Sequence, residues 1–404
     1  MMLPDIREAD IRGKTVLVRA DLNVPMQNGR VTDATRIIRF APTVSALLER
    51  GASVVVMSHL GRPDGVANPT LSLAPVAEAL AAELGREVRF VPDCVGAVAE
   101  RVSRSLPPGA VALLENLRFH TGEENDDRSF ALMLSVNGDL YVNDAFSCSH
   151  RAHASTHAIV PLMPSFAGPS LVAEVEALSR VLDAPERPSA ALVGGSKVST
   201  KIAILRHITN KVDRLIIGGG MANTFLAALG ANVGKSLYEP DAVIVAKRVL
   251  DQAQRNGCEI ILPSDVVVAT EFAANAPSRV VPAMEIPAGA MALDVGPATQ
   301  ARICAALEAS RTLLWNGPLG AFELQPFGAA TFAVARKAAE LTAAGRLVSV
   351  AGGGDTAAAL AAAGVADRFT YLSTAGGAFL ECIEGRALPG IEALKSVNEV
   401  LEDS

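Results

Sequence analysis

Short apolar runs rich in β-branched residues alternate with longer amphipathic or alanine-rich segments along almost the whole chain. The apolar runs predict buried strands at Thr15–Ala20, Ser53–Ser58, Ala110–Leu114, Leu140–Asn143, Ala190–Val193, Leu215–Ile217, Glu259–Leu262, Thr312–Trp315 and Leu347–Ala351. The segments between them predict helices, among them Ala34–Arg50, Leu71–Leu84, Asp241–Asn256 and Phe327–Ala344. Strand, helix, strand repetition at this spacing predicts an α/β fold with parallel sheets and helices on both faces.

A group of helix-breaking residues suggests a domain boundary before the middle of the chain. Pro161, Pro164, Gly168 and Pro169 lie close together, and a predicted helix, Leu171–Leu182, follows them. With 404 residues, the chain has room for two or three domains of about 150 residues. We therefore expect two doubly wound, Rossmann-like domains, residues 1–170 and 171–385, joined by a helix at about 171–184.

The composition of the chain indicates which classes of partner and which cellular compartment to expect. Lys and Arg number 36 against 43 Asp and Glu, and the net charge of -7 is not typical of a nucleic-acid binder. The five cysteines are scattered without a Cys-x-x-Cys pair, and the N-terminus has no signal-peptide run, so we expect a cytoplasmic protein. The most apolar stretch, Leu347–Ala366, contains Asp355 and three consecutive glycines, which favours a strand, a loop and a helix over a membrane span.

Basic and polar residues follow every predicted strand of the first half. The first strand precedes Asp21, Asn23 and Arg36, and the others precede His59 and Arg62, then Asn116 and Arg118, then His150, Arg151, His153 and His157. In open α/β sheets, ligands bind beyond the carboxyl ends of the strands. Arginine binds phosphate or carboxylate through paired donors, so the pattern predicts a site for a small, multiply anionic ligand. The alternative for any single arginine is an ordinary surface ion pair.

The histidines of the last group also invite a comparison with zinc sites, because Cys148 lies beside them. Their spacing fits no common structural zinc pattern, and Arg151 brings positive charge into the same segment. An anion site is therefore the favoured interpretation.

Glycine-rich turns follow the predicted strands of the second half, at Gly194–Lys197, Gly218–Gly220, Gly317–Gly320, Gly352–Thr356 and Gly376–Gly377. Glycine lets the backbone approach a phosphate, and a helix N-terminus supplies free N–H groups. Lys197 and Lys201 are one helical turn apart, so we expect them to share a helix face and reach phosphates together. Asp355 has two interpretations, a helix cap or a carboxylate facing the metal ion of a nucleotide.

Two segments imitate other nucleotide-binding motifs. Gly230–Ser236 resembles a P-loop, but the spacing between its glycines is one residue short and it follows a predicted helix. Gly352–Ala357 fits the dinucleotide fingerprint, but the expected acidic residue is missing from Thr370–Thr374. An NAD-dependent oxidoreductase is therefore one alternative function, and a non-catalytic two-domain binding protein is another.

Taken in order, the motifs resemble those of the phosphoglycerate kinase family. The matching runs extend from about Val18 to Glu381 and read VRADLNVP, SHLGRP, LLENLRFH, VNDAF with HRAHAST, GGSKVSTKI, IIGGGMANTF, LDVGPAT, LLWNGPLGAFE, VAGGGDT and STAGGAFLE. The resemblance implies a monomeric kinase with two domains facing across a cleft, and a segment at 386–404 that returns to the first domain. It implies reversible, in-line phosphoryl transfer between 1,3-bisphosphoglycerate and ADP after domain closure, with Mg²⁺ bound to the nucleotide.

The resemblance also implies a role for each matching residue. In the first domain, Asp21 and Asn23 match contacts to the glycerate, Arg36 matches the arginine near the reacting carboxyl, and the matches to the 3-phosphate site are His59, Arg62, Arg118 and Arg151. In the second domain, Lys197 matches the lysine that follows the transferred phosphoryl group, and Asp355 matches the magnesium position. The other nucleotide positions are Lys201, Gly219, Gly220, Met291, Leu293, Asn316, Glu323, Gly352, Gly353, Gly354 and Thr356, and the residues assigned to catalysis are Arg36, Lys197, Gly353 and Gly376.

Departures from the family pattern occur at a few positions without removing any of these charges. They are Leu22, the run Ser147–Cys148–Ser149, Ala375 and Phe379. The acceptor implied by the resemblance is a carboxylate, which is already ionised at neutral pH and needs no general base. We therefore expect catalysis by positioning and by electrostatic stabilisation of the phosphoryl group.

Overall fold

The structure is a computed structural model that describes residues 3–402. The chain forms two compact units, which we call the N-terminal unit (residues 3–174 with 387–402) and the C-terminal unit (Val175–Arg386). The boundary at residue 174 lies within one helix, Pro169–Leu182.

The N-terminal unit is built on a six-stranded parallel sheet. Its strands are β1 (Thr15–Arg19), β2 (Met26–Gln27), β3 (Arg30–Val31), β4 (Ser53–Met57), β5 (Val88–Val91), β6 (Val111–Leu114), β7 (Leu140–Asn143) and β8 (Ser165–Ala167). The sheet order is β5-β6-β4-β1-β7-β8, and β2 and β3 form a separate antiparallel pair. The helices are α1 (Thr35–Glu49), α2 (Ala74–Leu84), α3 (Gly96–Arg104), α4 (Thr121–Glu124), α5 (Arg128–Ser135) and α6 (Pro169–Leu182).

The central strands of this sheet are apolar because both faces are covered. Every residue of β4 and β7 is buried, and Val16, Val18 and Val54 lie in one core with residues of α1 and α2. Continuous burial explains why these strands read as β-branched runs rather than as an alternating pattern. The chain leaves β6 and returns to β7 on the other side of β1, so the sheet is doubly wound with its switch point beside β1.

The C-terminal unit contains a second six-stranded parallel sheet and a smaller antiparallel sheet. Its strands are β9 (Ser189–Val193), β10 (Arg214–Ile217), β11 (Glu259–Ile261), β12 (Asp265–Ala269), β13 (Ser278–Pro282), β14 (Met291–Val295), β15 (Thr312–Asn316), β16 (Val348–Gly352) and β17 (Tyr371–Ser373). Its helices are α7 (Ile202–Ile208), α8 (Gly220–Ala228), α9 (Val243–Asn256), α10 (Pro297–Glu308), α11 (Ala329–Ala343), α12 (Gly354–Ala362) and α13 (Gly376–Ile383).

The parallel sheet has the order β11-β10-β9-β15-β16-β17, which is the Rossmann order with its switch point between β9 and β15. Small side chains let α11 pack closely, since Ala335, Ala338 and Ala339 are all fully buried in its core. Trp315 adds the largest buried side chain and meets Phe369 edge to face, with ring centroids 6.1 Å apart.

The last helix, α14 (Pro389–Glu402), belongs to the N-terminal unit. The backbone N–H of Gly390 donates to the carbonyl of Ser149 at 3.0 Å, and Leu394 is fully buried. After the C-terminal unit, the described part of the chain therefore returns to the N-terminal unit.

The parallel sheets confirm the predicted α/β, doubly wound fold, and nine predicted strands are found within one or two residues of their expected bounds. The strands β5 and β8 and the antiparallel sheet β13-β12-β14 were not predicted. Residues 347–366 form β16 and α12, and no helix within the described residues 3–402 is long and apolar enough to cross a membrane.

Candidate active site

Asp21, just beyond the end of β1, lies at the centre of a polar network at the strand ends of the N-terminal unit. Its Oδ2 accepts hydrogen bonds from the Arg36 guanidinium and from the Ser147 hydroxyl, and its Oδ1 accepts the backbone N–H of Asn23 at 3.2 Å. Arg36 comes from the start of α1 and Ser147 from the turn after β7, while Asn23 lies in the loop after β1. The network therefore joins parts of the chain that are far apart in sequence.

Arg118 and Asn23 meet at the turn that follows β4. The Asn23 side-chain oxygen accepts the N–H of Gly61 at 2.9 Å, and the carbonyl of Gly61 accepts from Arg118 at 2.8 Å. Arg118 is buried, and its Nε lies 3.3 Å from the Glu124 carboxylate without the alignment of a hydrogen bond. One guanidinium donor is therefore left for a further acceptor.

His59 lies above a buried ion pair that the sequence did not indicate. Arg19, in β1, is only 1% exposed, and its guanidinium is 3.2 Å from Nδ1 of His59 and 4.0 Å from the buried carboxylate of Glu123. Because a guanidinium only donates, Nδ1 of His59 accepts, and the ring of the neutral histidine carries its proton on Nε2. Arg19 thus fixes the tautomer of His59.

Burial and nearby positive charge favour the neutral forms of His59 and His153. Burial and the nearby guanidinium groups of Arg19 and Arg118 lower the pKa of His59 well below its ordinary value. The same causes, together with Arg151, lower the pKa of His153 to about 4. A neutral imidazole surrounded by cations is what an unliganded anion site is expected to contain.

The structure brings Asp21, Asn23, Arg36, His59 and Arg118 together through these contacts. Arg62 follows Gly61 and is exposed, and Arg151 is exposed but near enough to act on His153.

Two of the three histidines considered for zinc contact different carboxylates, with His157 on Asp126 at 2.7 Å and His153 Nδ1 at 3.9 Å from Glu123. Within residues 3–402 these histidines do not form a three-ligand group.

The structure shows the surroundings of several departures from the family pattern. Ser147 donates to Asp21 and so joins the network itself, and the Ser149 hydroxyl donates to the carbonyl of Ala145 at 3.0 Å. Cys148 is buried, and burial raises the pKa of its thiol, which argues against a reactive thiolate. In the C-terminal unit, the Phe379 ring fills the space beside Gly352, where a Cβ atom would lie 2.6 Å from it.

A pocket of about 530 Å³ lies within the C-terminal unit, a volume suited to a small molecule. Six predicted nucleotide residues line it, and they are Gly219, Gly220, Met291, Leu293, Glu323 and Asp355. Its wall also contains Leu237, Phe272 and Pro318, so one part is apolar. Such a wall suits the flat face of a base.

Lys201, Asn316 and Thr356 connect the strand ends on either side of the switch point. Lys201 Nζ donates to the Gly194 carbonyl and to Asn316 Oδ1, both at 2.6 Å, and Asn316 Nδ2 donates to the Gly352 carbonyl at 2.8 Å. Thr356 Oγ1 accepts the N–H of Gly317 at 2.7 Å. Burial lowers the pKa of Lys201 to about 8, while the nearby Asp355 carboxylate opposes this shift.

Two glycines of this region cannot be replaced without strain. Gly219 has φ of 67°, and a Cβ atom there would lie 2.6 Å from the Gly195 carbonyl oxygen. Gly353 has φ of 100°, and its Cβ atom would lie 2.7 Å from Asn316 Nδ2. Each precedes a helix, α8 or α12, and Gly376 begins α13, so three helix N-termini follow strand ends of the sheet.

The prediction that Lys197 and Lys201 share a helix face is wrong. Residues 199–201 form a 3₁₀ turn and α7 begins only at Ile202, so Lys197 lies in the preceding loop. Lys197 is exposed, whereas Lys201 is half-buried against Asn316. Asp355 lies in the first turn of α12 and lines the pocket, and because the N-cap residue of this helix is Gly353, Asp355 is not its N-cap.

Several pocket residues were missed from the sequence. Lys235 belongs to the Gly230–Ser236 segment that resembles a P-loop. It lines the pocket although this segment follows a helix, α8, and not a strand. Asp294 is a single acid within an apolar strand, a signal that could have been noticed. Its carboxylate accepts the N–H groups of Val295 and Ala330 at 2.9 and 3.1 Å, and burial raises its pKa to about 7.

A doubly wound unit with a basic strand-end patch and another with a glycine-lined pocket are the arrangement that a nucleotide-dependent phosphotransferase needs. A family model described as Phosphoglycerate kinase matches residues 6–386. A protein named phosphoglycerate kinase from Methylobacterium radiotolerans is 56% identical over 386 residues (96% of each chain), and one from Rhizorhabdus wittichii is 58% identical over 387 residues (96% of this chain, 98% of the other). The solved structure of phosphoglycerate kinase from Coxiella burnetii has a TM-score of 0.92 and 41% identity, covering 98% of this chain and 99% of its own.

The chain belongs to the phosphoglycerate kinase family. It is therefore a kinase whose phosphoryl acceptor is a carboxyl group, and it acts on small molecules that include a nucleotide. This result excludes the oxidoreductase suggested by Gly352–Ala357 and the non-catalytic binding protein. The glycines of that segment instead begin α12 beside Asn316.

Proposed function

We propose that the N-terminal unit binds 3-phosphoglycerate or 1,3-bisphosphoglycerate, and that the C-terminal unit binds ADP or ATP. The phosphoryl group then passes directly and in line between them once the two units have closed. The observation that carries this proposal is the contrast between the two strand-end regions. One collects guanidinium groups and neutral histidines, and the other offers glycine turns and helix N-termini around a pocket.

In the N-terminal unit, the phosphate of the acid occupies the region of His59, Arg62, Arg118 and Arg151. The unsatisfied Nε of Arg118 and the Nε2 proton of His59 are donors that an anion would use. Asp21 and Asn23 bind the glycerate hydroxyl and its neighbours. Arg36 contacts the reacting carboxyl and exchanges its ion pair with Asp21 for that contact.

In the C-terminal unit, the adenine lies against Gly219, Gly220, Met291 and Leu293, and Glu323 binds the ribose. Phosphates lie near the switch point, where the polar groups are those of Lys201, Asn316 and Thr356 and the backbone N–H groups are those of Gly352, Gly353 and Gly354. Lys197, which is exposed on its loop, follows the transferred phosphoryl group, and the N–H groups at Gly353 and Gly376 stabilise its charge.

Asp355 would hold Mg²⁺ together with the phosphate oxygens of the nucleotide. A single carboxylate beside a nucleotide pocket fits this ion, which usually takes one or two carboxylates and completes its shell with phosphates and waters. When bound, Mg²⁺ neutralises charge on the phosphates. Lys201 stays near Asp355 and supplies positive charge at the same place.

The chemistry requires no general base, because the attacking carboxylate is ionised at neutral pH. The chain contributes position and positive charge, and Arg36 and Lys197 are the two cations nearest the reaction in this assignment. We further propose a monomeric, cytoplasmic enzyme without nucleic-acid partners. The net charge of -7 supports the absence of nucleic-acid partners, the five scattered cysteines without a Cys-x-x-Cys pair support the cytoplasm, and the monomeric state rests on the family resemblance.

A coupled assay tests the reaction. Protein, 3-phosphoglycerate, MgATP, NADH and excess glyceraldehyde-3-phosphate dehydrogenase are combined, and NADH absorbance is followed. We expect NADH loss that requires both 3-phosphoglycerate and MgATP. If a folded protein and a working coupling enzyme give no loss, the proposed reaction is wrong.

The role of Arg36 is tested by Arg36→Ala, with Arg39→Ala as the matched control because Arg39 is an exposed arginine on the same helix. We expect kcat to fall about 10²–10³-fold in the first variant while the KM for MgATP stays near that of the parent protein. An unchanged kcat would remove Arg36 from the reacting carboxyl, even if the reaction itself is confirmed.

A further inference from the structure

We propose that Asp93, Cys94 and His120 form a binding site for Zn²⁺ in the N-terminal unit, separate from the polar network around Asp21. One sulfur, one nitrogen and one oxygen donor meet there, and all three atoms lie within 4.8 Å of one another. This mixed donor set suits a borderline-soft cation such as zinc better than Mg²⁺ or Ca²⁺.

Neighbouring parallel strands bring the three residues together. Asp93 and Cys94 lie in the turn between β5 and α3, whereas His120 follows β6 after the 3₁₀ turn Leu117–Phe119. Because β5 and β6 pair in parallel, their carboxyl ends lie side by side at one edge of the sheet. The strand order therefore places Asp93 and Cys94 next to His120.

Two of the ligands are held in place before any ion binds. Oδ1 of Asp93 accepts the N–H groups of Cys94 and Val95 at 2.7 and 3.3 Å, and it lies 2.8 Å from Nε2 of His120. The imidazole stacks on Phe130, with ring centroids 5.2 Å apart. Around tetrahedral zinc, donor atoms lie about 3–4 Å from one another. Shifts of about 1 Å would therefore bring all three donors to zinc.

The charges nearby favour a cation. The charged groups that act on the Cys94 thiol are the carboxylates of Asp93, Glu123 and Glu115. A second group with the same donor types, formed by Asp21, His59 and Cys148, lies among the guanidinium groups of the anion site. The two groups offer the same types of donor atom, but the first is surrounded by carboxylates and the second by guanidinium groups. Only the first therefore suits a metal ion.

The exposure of the ligands leaves room for a fourth, solvent-derived ligand. The thiol is buried, while the side chains of His120 and Asp93 are 34% and 46% exposed. When zinc binds, the S–H bond of Cys94 breaks, its proton goes to solvent and a thiolate–zinc bond forms. The bound ion would join the turn before α3 to the segment that carries Arg118.

The experiment uses the full chain freed of metal by a chelator. Co²⁺ is added as a spectroscopic substitute for zinc, and Zn²⁺ affinity is measured by competition with a chromophoric chelator. The ligand variants are Cys94→Ser, Asp93→Asn and His120→Gln. The matched control is Cys148→Ser, which removes the thiol of the other three-residue group. Circular dichroism checks that each variant is folded.

We expect one Co²⁺ per chain, a cobalt–thiolate absorption band, displacement of that band by Zn²⁺, and Zn²⁺ binding weakened about tenfold or more in each ligand variant. Cys148→Ser should leave all of these unchanged. The proposal is overturned if no thiolate band appears, if the band survives in Cys94→Ser, or if only Cys148→Ser removes it. If Cys94→Ser does not fold, unweakened Zn²⁺ binding in Asp93→Asn and His120→Gln overturns it equally.

Discussion

The buried pair Arg19–Glu123 offers the sharpest test of how the anion site is supported. Glu123 is completely buried in α4, and its carboxylate accepts the hydroxyl and the backbone N–H of Ser155 at 2.6 and 3.0 Å. The negative charge of Glu123 also balances the positive charge of Arg19, whose guanidinium Nε donates to the same Ser155 hydroxyl at 2.8 Å. Glu123→Gln keeps the size of the side chain and removes the negative charge.

The expected loss in the free energy of unfolding follows from the buried positive charge that Glu123→Gln leaves without a partner. Arg19 would stay only 1% exposed with its counter-charge gone, and removing one partner of a buried ion pair costs about 3–5 kcal/mol. The Arg19–Glu123 distance of 4.0 Å is long, so we expect the lower end, about 3 kcal/mol. In a unit of this size that is a fall in Tm of about 6–12 °C.

Urea unfolding followed by far-ultraviolet circular dichroism measures the free energy of unfolding. Glu100→Gln is the matched control, because it breaks the exposed pair of Glu100 with Arg104, which is expected to cost less than about 1 kcal/mol. The double variant Arg19→Met, Glu123→Leu removes both charges and should recover much of the loss. A cost for Glu123→Gln no larger than that of the control would refute the reasoning.

Three further predictions concern single groups. Burial raises the pKa of Asp294 to about 7, so the native state loses stability as pH rises from the usual carboxyl value to about 7. Asp294→Asn does not ionise and should flatten this part of the stability profile measured in urea. In acid it should be about 1–3 kcal/mol less stable than the parent protein, because its one acceptor oxygen cannot serve the N–H groups of both Val295 and Ala330. The pKa of His153 is lowered to about 4, so the native state loses stability as pH falls from about 6.5 to about 4, and His153→Gln should flatten that part of the stability profile measured in urea. Gly219→Ala should cost about 1–3 kcal/mol and raise the KM for MgATP, whereas Gly289→Ala, with open space around its Cβ position, should change neither.

Much of the fold could be predicted because buried parallel strands carry an unusually clear pattern. Each β-branched run from Thr15 to Ala351 became a strand, since burial on both faces requires apolar side chains throughout. In the antiparallel sheet, β13 is mostly exposed and gives a weak signal, whereas the β-branched run of β12, residues 266–268, was simply overlooked. The strands β5 and β8 are short edge strands, and their signal is correspondingly weak.

For the site, residue type was a better guide than spacing. The charged residues after β1, β4 and β6 do meet, because the ends of parallel strands share one edge of the sheet. The spacing of Lys197 and Lys201 failed because it assumed an α-helix where the chain forms a 3₁₀ turn. The pairing of Arg19 with Glu123 spans too much sequence to be read from any local pattern.

An acidic chain can bind an anion only if its local cations can give up their present partners. Arg36 is paired with Asp21, and Arg118 lies beside Glu124, so each of these two guanidinium groups has a carboxylate next to it. These carboxylates lower the cost of holding the two guanidinium groups in partly buried positions before the ligand arrives. Arg19 differs, because Glu123 is inaccessible and cannot be exchanged for a ligand group. The pairs of Arg36 and Arg118 can therefore be exchanged for contacts to a bound anion. The buried Arg19–Glu123 pair stays in place and holds His59 in position.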